Sequence, residues 1–206
     1  MKTKNRIFTI ALAVLAACVA KAADTDVVSC CVQTVSLAPT NFTDKSLFLT
    51  ESKWTTDAGK QIKLGELKGR PQVIAMFFAN CQYACPIIVN DMKRIEAALP
   101  DNLRTNVGFT LVSFDTQRDT AAALADYRRT RDLPVERWTL LRGGSDDVLE
   151  LAALLGVRYK QDATGQFTHS NIITILNADG EIVHQQIGLN QDIKETVRAI
   201  ERLGTK

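Results

Sequence analysis

Two cysteines in the middle of the chain are the strongest candidates for reactive groups. Cys81 and Cys85 are separated by three residues, in the segment NCQYACP at positions 80–86. Pro86 is favourable as the first residue of a helix, which predicts that Cys85 lies at the helix N-terminus. Because the helix dipole and free backbone donors there lower the pKa of a thiol, both cysteines are predicted to be thiolates.

The spacing of this pair is compatible with three kinds of chemistry. A structural disulfide would staple the loop to the helix, but a bridge that closes so short a loop stabilises a fold only weakly. Three intervening residues also let the sulfurs spread around an ion, and two thiolates suit Cu(I) or Zn, with a third neutral ligand completing the site. A dithiol–disulfide cycle needs only the two sulfurs. We expect Cys81 and Cys85 to interconvert between dithiol and disulfide, and only the dithiol to take up Cu(I).

Histidine is scarce in this chain, and its placement separates a candidate ligand from a structural residue. The two histidines are His169, directly before a predicted strand at 172–176, and His184, inside the following predicted strand. A histidine inside a strand is more simply a surface or packing residue. His169 is therefore the candidate third ligand.

The first 23 residues have the plan of a bacterial export signal. Three basic residues among the first six precede an apolar stretch at 7–17, which is too short to span a bilayer, and small residues follow. Two processing sites compete. The segment LAAC at 15–18 resembles a lipobox, which would make Cys18 the lipidated N-terminus, whereas AKA at 20–22 fits an ordinary signal peptidase. Lipidation predicts a protein anchored on the periplasmic side of the membrane.

Two further cysteines, Cys30 and Cys31, lie in a segment without a clear hydrophobic period. Cysteines of exported proteins tend to form disulfides, bind metal or take part in redox chemistry. This adjacent pair is compatible with a strained vicinal disulfide, an accessory copper site, cross-links between chains or two incidental thiols. We divide the chain into an export signal (1–17), a tether (18–50) and one folded domain (51–204).

From residue 54 onward the hydrophobic pattern predicts alternating strands and helices. A hairpin over 54–64, turning at DAGK, comes first. Strands are predicted at 73–78, 107–114, 138–141, 172–176 and 182–186, and helices at 86–99, 120–131, 146–155 and 192–203. The result is an α/β fold, with a mixed central sheet flanked by helices on both faces.

This order of elements resembles the thioredoxin-like fold with an extra N-terminal β-hairpin. In that fold the loop entering strand 172–176 faces the cysteine loop, which places His169 opposite Cys81 and Cys85. Disulfide-exchanging thioredoxins carry a cis-proline immediately before this strand. The prolines of this chain are Pro39, Pro71, Pro86, Pro100 and Pro134. A potential metal ligand therefore lies near the position where thiol exchangers carry proline.

The charge balance argues against nucleic acid as a partner. The chain has 25 basic and 23 acidic residues, and the basic number falls to 22 without Lys2, Lys4 and Arg6 of the export signal. A nearly neutral domain without a cluster of basic residues lacks the electrostatic footprint of a nucleic-acid-binding protein.

Three segments resemble, in order and spacing, the signatures of the Sco/SenC family over residues 54–204. They are a CxxxCP motif from Cys81 to Pro86, an aspartate segment SFDTQRDT at 113–120, and a histidine segment formed by His169, Ser170, Leu176 and Gly180. The resemblance implies a thioredoxin-like fold that binds Cu(I) or Cu(II) through Cys81, Cys85 and His169. It also implies a role in maturing the dinuclear copper centre of cytochrome oxidase. The implied partner is the apo copper subunit of the oxidase, or another copper enzyme.

The aspartate segment departs from the family pattern at two positions. Family members usually carry proline where this chain has Thr116 and Ala121. A partner surface built there is therefore expected to differ. Asp115, at the carboxyl end of a predicted strand, is a candidate partner contact. Asp119 is either a second such contact or the N-cap of the following helix.

Two functions from different classes remain open. The first is a copper metallochaperone, which is not an enzyme and requires the imidazole of His169. The second is a thiol–disulfide oxidoreductase that reduces cysteines of an apo copper protein and requires only Cys81 and Cys85. A peroxide-reducing enzyme fits less well, because the second thiol lies in the same loop and no peroxidase motif is present.

Overall fold

The computed structural model of the protein describes residues 43–204, and a mixed seven-stranded sheet forms the centre of this part. The strands are β1 (Trp54–Thr56), β2 (Gln61–Ile62), β3 (Gln72–Phe77), β4 (Gly108–Ser113), β5 (Trp138–Gly143), β6 (Tyr159–Gln161), β7 (Phe167–His169), β8 (Ile172–Leu176) and β9 (Ile182–Ile187). The spatial order of the large sheet is β2-β1-β5-β4-β3-β8-β9, and β6 and β7 form a separate antiparallel pair.

Helices flank this sheet, as the sequence predicts. They are α1 (Ala84–Ala98), α2 (Asp101–Arg104), α3 (Ala121–Thr130), α4 (Ser145–Leu154) and α5 (Lys194–Leu203), and short 3-10 helices cover Leu47–Leu49 and Leu64–Leu67. Helix α1 packs on β3 and α5, while α3 and α4 contact β5. The predicted α/β fold with an N-terminal hairpin is confirmed. Between residues 43 and 204, no helix is both long and apolar enough to cross a membrane.

The core is built on the central strands β3 and β4, in which every residue is buried. This burial explains why they appear in the sequence as continuous apolar runs instead of alternating ones. Next to them, the ring of Phe109 stacks on that of Trp138 on β5, with centroids 5.0 Å apart. The centre of the sheet is therefore a rigid platform for the loops at its edge.

Strand directions bring three distant segments to one edge of the sheet. Strands β3 and β4 are parallel, and Phe77 pairs with Ser113 at their carboxyl ends. Strand β8 is antiparallel to β3, with Ala75 paired to Ile173. The segment after β3, the segment after β4 and the segment before β8 therefore meet at this edge. Ligands and reactive groups collect at the corresponding edge of open α/β sheets.

Helix α1 begins earlier than predicted. It starts at Ala84, so that Cys85 is its second residue and Pro86 its third. Proline is tolerated there because the backbone N–H groups of the first helical turn have no acceptor within the helix. Cys85 therefore lies inside the first turn, two positions further into the helix than the sequence predicts.

Folded residues are also found before position 51, where we placed the start of the domain. Leu47 and Phe48 are buried, and the Leu47 N–H donates to the carbonyl oxygen of Gly180 in the β8–β9 turn. Gly180 has φ +86°, and a Cβ there would lie 2.5 Å from the Phe48 ring. Residues 46–50 therefore belong to the folded domain. Cys18, Cys30, Cys31 and the export signal lie outside the described residues.

Candidate metal centre

The two cysteines approach each other where β3 passes into α1. The N–H of Cys81 donates to the carbonyl oxygen of Phe78, which closes a turn directly after the strand. The N–H of Cys85 donates to the Sγ of Cys81 at 3.3 Å. Both are free thiols, with Cys81 9% exposed and Cys85 fully buried. The pair is therefore a preformed dithiol in which Cys81 is the less deeply buried member.

The same environment moves the two thiol pKa values in opposite directions. Hydrogen bonding from the Cys85 side chain, with further donors from the Cys85 and Tyr83 backbone, lowers the pKa of Cys81 to about 4. The side-chain hydrogen bond to Cys81, together with burial, raises the pKa of Cys85 above its ordinary value. In the metal-free dithiol, Cys81 is the thiolate and Cys85 keeps its proton. The prediction that both are thiolates does not hold for Cys85, because the hydrogen bond to Cys81, followed by burial, favours its protonated form more than the helix N-terminus favours the thiolate.

His169 directs its Nε2 atom toward this pair. It ends β7, and its Nδ1 lies 3.1 Å from the carbonyl oxygen of Ser170. A carbonyl oxygen can only accept a hydrogen bond, so in the neutral imidazole Nδ1 carries the proton and Nε2 has the free lone pair. Nε2 lies 3.7 Å from the Sγ of Cys85. This is the tautomer in which an imidazole binds a metal ion through Nε2.

The structure thus brings Cys81, Cys85 and His169 together from positions up to 88 residues apart in the chain. The three candidate ligand atoms lie within 4.8 Å of one another. Cys81 and His169 border a cleft of about 480 Å³ that is walled by Phe78 and Phe167. Two sulfurs and one imidazole nitrogen form a soft donor set that fits copper, and the cleft leaves one side of the site open.

His184, the other histidine, lies on β9 away from this group. Its Nε2 is 3.1 Å from the hydroxyl oxygen of Thr196 on α5. This contact links the edge strand to the last helix. His184 has a structural contact and is not among the three clustered ligands.

The two aspartates of the aspartate segment are buried. A side chain that contacts a partner protein has to be accessible at the surface, and neither carboxylate is. Asp119 is 2% exposed; it accepts hydrogen bonds from the N–H of Ala79, at 2.8 Å, and from the hydroxyl of Ser113. Burial raises the pKa of its carboxyl group. The interpretation of Asp119 as a helix N-cap is also wrong, since Thr120 caps α3 by accepting from Ala123 N–H. Asp119 instead ties the segment before Cys81 to the end of β4.

Asp115 is 1% exposed and forms an ion pair with Arg118. It also accepts a hydrogen bond from the Arg118 backbone N–H at 3.1 Å. The suggested role as a partner contact is not available to a side chain so deeply buried. Asp115 organises its own loop at the carboxyl end of β4.

Aromatic residues support the His169 ring and were not among the predicted site residues. The His169 ring lies 5.0 Å from Phe114 and 6.2 Å from Phe78, measured between centroids. Phe167 contacts the same two rings. The sequence holds one signal for this arrangement: Phe167 precedes His169 by two residues, so in a strand both side chains point to one face.

Comparisons with known proteins agree with this geometry. A sequence profile described as SCO1/SenC matches residues 42–205. The SCO1 protein homolog of Bacillus subtilis (strain 168) is 24% identical over 136 residues, which cover 64% of this chain and 69% of that protein.

Solved structures show the same fold at low sequence identity. A SCO1/SenC family lipoprotein from Bacillus anthracis str. Ames is 22% identical, with a TM-score of 0.67 over 74% of this chain and 92% of that one. ScoI of Bradyrhizobium japonicum with copper bound is 21% identical, with a TM-score of 0.60 over 74% of this chain and 96% of that one. Because the profile match covers the whole described region, the chain belongs to the SCO1/SenC family.

Proposed function

We propose that this protein binds copper through the Sγ atoms of Cys81 and Cys85 and the Nε2 atom of His169. The observation that carries the proposal is the convergence of these atoms within 4.8 Å, with the other histidine nitrogen, Nδ1, engaged by the Ser170 carbonyl oxygen. The ScoI structure from Bradyrhizobium japonicum was determined with copper bound, which supports the choice of metal.

The donor set suits both oxidation states of copper in different ways. Thiolates are soft ligands that hold Cu(I), whereas Cu(II) also favours the imidazole nitrogen. Before binding, the dithiol retains the proton of Cys85, and that proton must leave for both sulfurs to act as ligands. Copper uptake therefore releases a proton from the site. The aromatic walls of the cleft limit water around the two sulfurs, while the open side near the exposed Tyr83 ring leaves room for an acceptor.

We infer that the bound copper is destined for another protein. The proposed acceptor is the apo copper subunit of cytochrome oxidase, in which a dinuclear copper centre is assembled, or another copper enzyme. This role is carried by the family resemblance of the cysteine and histidine segments. An exported protein, anchored by lipid at Cys18 on the periplasmic side of the membrane, would meet such an acceptor there.

The copper site is tested by metal titration of the purified, reduced protein. One equivalent of Cu(I) should bind to the wild type, and Cys81→Ser and Cys85→Ser should each lose most of the affinity. If both serine variants bound Cu(I) as the wild type does, the site would lie elsewhere, and Cys30 and Cys31 would be the first alternative. Cells that carry the serine variants should also contain immature oxidase.

A second function, thiol–disulfide exchange, is favoured by the difference between the two cysteines. The Cys81 thiolate could attack a disulfide of an apo copper protein and form a mixed disulfide. Cys85, after losing its proton, would then attack Cys81 and release the partner as a dithiol. The partner is reduced and this protein becomes the disulfide. His169→Ala should leave this exchange intact while it weakens copper binding, which separates the two functions.

A further inference from the structure

His169 belongs to a small hairpin that is separate from the central sheet. We call residues 159–169, which comprise β6, β7 and their turn, the histidine hairpin. Its ladder pairs Tyr159 with His169 and Gln161 with Phe167, and it adds no strand to the large sheet. The position of the His169 ring over the cysteines therefore depends on how this hairpin is fastened to the domain.

Part of the attachment is aromatic packing. Tyr159 stacks on Phe114 with centroids 5.2 Å apart, and Phe167 lies 5.2 Å from Phe78 and 5.0 Å from Phe114. Burial of apolar surface holds the hairpin down, but it is largely non-directional. Apolar burial does not by itself fix the position of the hairpin on the surface formed by the Phe78 and Phe114 rings.

Arg118 supplies a directional attachment. Its Nε donates to the buried carboxylate of Asp115, and its Nη2 donates to the carbonyl oxygen of Gly165 in the turn of the histidine hairpin. The guanidinium carbon also lies 5.8 Å from the centre of the Phe167 ring. A planar guanidinium can make these three contacts at once, because its donors form a rigid fork and its face stacks on aromatic rings.

The other end of this link is firmly held. Asp115 is 1% exposed and follows β4, a strand that is buried along its whole length. Its own N–H donates to the hydroxyl of Ser113, the last residue of that strand. The chain of contacts therefore runs from a rigid core strand through Asp115 and Arg118 to the hairpin that carries the ligand.

We propose that Arg118 is a positioning residue that latches the histidine hairpin to Asp115 and so holds the His169 nitrogen over Cys81 and Cys85. Arg118 touches none of the three ligand atoms in this structure. Its consequence for copper rests on the proposed function, whereas its effect on the hairpin does not. Residues that orient metal ligands in this way typically change metal affinity about 10- to 100-fold when removed.

Arg94 provides a matched control for the cost of losing such an ion pair. Arg94 and Asp91 are also three residues apart in the chain. The aspartate of each pair is buried, at 0% exposed for Asp91 and 1% for Asp115. The arginines are similarly exposed, at 42% for Arg94 and 36% for Arg118. Arg94 lies on α1 and pairs with an aspartate that anchors the Asn190 N–H. Arg94→Gln therefore imposes a similar structural loss away from the histidine hairpin.

The first experiment measures hairpin order in the full, reduced, metal-free protein. Amide hydrogen exchange within 159–169 should become at least about tenfold faster in Arg118→Gln than in Arg94→Gln, because the hairpin opens more often when its latch is lost. Arg118→Lys, which keeps the charge but not the fork, should fall between Arg118→Gln and the wild type. Equal exchange in the two glutamine variants would overturn the latch, whatever the protein binds.

The second experiment measures copper directly, with Cu(II) and Cu(I) ions as the probes. Arg118→Gln should lower Cu(II) affinity about tenfold and change the nitrogen coupling in the electron paramagnetic resonance spectrum, with little change in Cu(I) affinity. Arg94→Gln should change none of these. A parallel loss of Cu(I) and Cu(II) affinity would indicate general destabilisation and overturn the positioning role. If Arg118→Gln did not fold, the same copper affinities and spectra would be measured on Arg118→Lys. Wild-type spectra for the lysine variant would also overturn the latch.

These outcomes separate failure of the latch from failure of the proposed function. Should Cys81→Ser bind copper as well as the wild type, the proposed function fails, while the hydrogen-exchange comparison still decides the latch. Should the serine variant lose copper while both arginine variants behave alike, the function stands and the latch fails.

Discussion

At the scale of single residues, the central feature is that two cysteines four positions apart have opposite acid–base character. Cys81 is partly exposed and receives hydrogen bonds from the Cys85 thiol and two backbone donors. Cys85 is fully buried and donates to its neighbour. Cys85 keeps its proton, and that proton is hydrogen-bonded to the Cys81 sulfur. This leaves a nucleophilic thiolate at the cleft and a protected thiol behind it.

This difference predicts selective alkylation of Cys81. With iodoacetamide under mild conditions, the reduced metal-free protein should be modified at Cys81, because only the thiolate reacts and Cys85 is buried. The rate should stay nearly constant as pH falls from about 8 to 5, and should decline near the Cys81 pKa of about 4. Peptide mass spectrometry as a function of pH measures both the site and the profile.

Cys85→Ala is the matched control for this profile. It removes the strongest hydrogen bond to the Cys81 sulfur, so the pH at which the rate is halved should rise. An unchanged profile in this variant, or modification of Cys85 first in the wild type, would contradict the assignment of the thiolate.

His169→Ala should discriminate between the two oxidation states of copper. Two thiolates hold Cu(I) well, so its affinity should fall modestly, whereas Cu(II) binding should nearly disappear because it depends on the imidazole nitrogen. Competition titrations with chelators for each ion measure both constants. His184→Ala, whose imidazole contacts Thr196 instead, should change neither. Wild-type Cu(II) affinity in the His169 variant would refute the three-ligand site.

At the scale of elements, the loop between β3 and α1 depends on the loop that follows β4. Parallel pairing places the carboxyl ends of these strands side by side, and Asp119 reaches across to the Ala79 N–H. Two loops that are 40 residues apart are thereby joined by one buried carboxylate. The geometry of the cysteine pair is consequently supported from outside its own motif.

Asp119→Ala should destabilise the domain and loosen the cysteine loop. The Ala79 N–H and Ser113 hydroxyl would lose their acceptor, which costs about 1–3 kcal/mol of unfolding free energy when the groups remain buried. Urea denaturation of the metal-free protein measures this loss. Asp126→Ala on α3 is the control, because its exposed ion pair with Arg129 should contribute less than about 1 kcal/mol. Equal stability of the two variants would argue against a supporting role for Asp119.

At the scale of the whole molecule, the sheet order assembles the site from three segments at one edge of a single domain. That edge also carries the open cleft, so the site faces away from the buried centre of the sheet. The folded region begins before residue 51, since Leu47 and Phe48 pack into its core.

We predict that the protein is anchored through lipid on Cys18. The LAAC segment at the end of an apolar stretch too short to span a bilayer motivates this expectation. Mass spectrometry of the native protein should find an N-terminal Cys18 that carries acyl chains, and Cys18→Ser should move the protein from the membrane fraction. An unmodified chain beginning at Ala23 would exclude the anchor.

The sequence alone determined the order of elements and the identity of the clustered side chains. The apolar run before Cys81 predicted a buried strand, and the spacing of Ile88, Met92 and Ile95 predicted the helix after it, because strand and helix periods are local properties of a chain. The thioredoxin-like order of strands then placed His169 opposite the cysteines. Chemistry-bearing residues are few in this chain, so their positions in that order were informative.

Only the tertiary structure decided how those side chains behave. The histidine hairpin was missed because its three-residue strands have no recognisable period and are held by the rings of Phe78 and Phe114, which directly follow β3 and β4. The roles of Asp115 and Asp119 were misjudged because a carboxylate at a loop can face solvent or core, and local sequence does not distinguish them. The opposite pKa shifts of Cys81 and Cys85 depend on the hydrogen bond between the two side chains and on burial. The link through Arg118 depends on Gly165, far along the chain, and both arrangements exist only once the chain is folded.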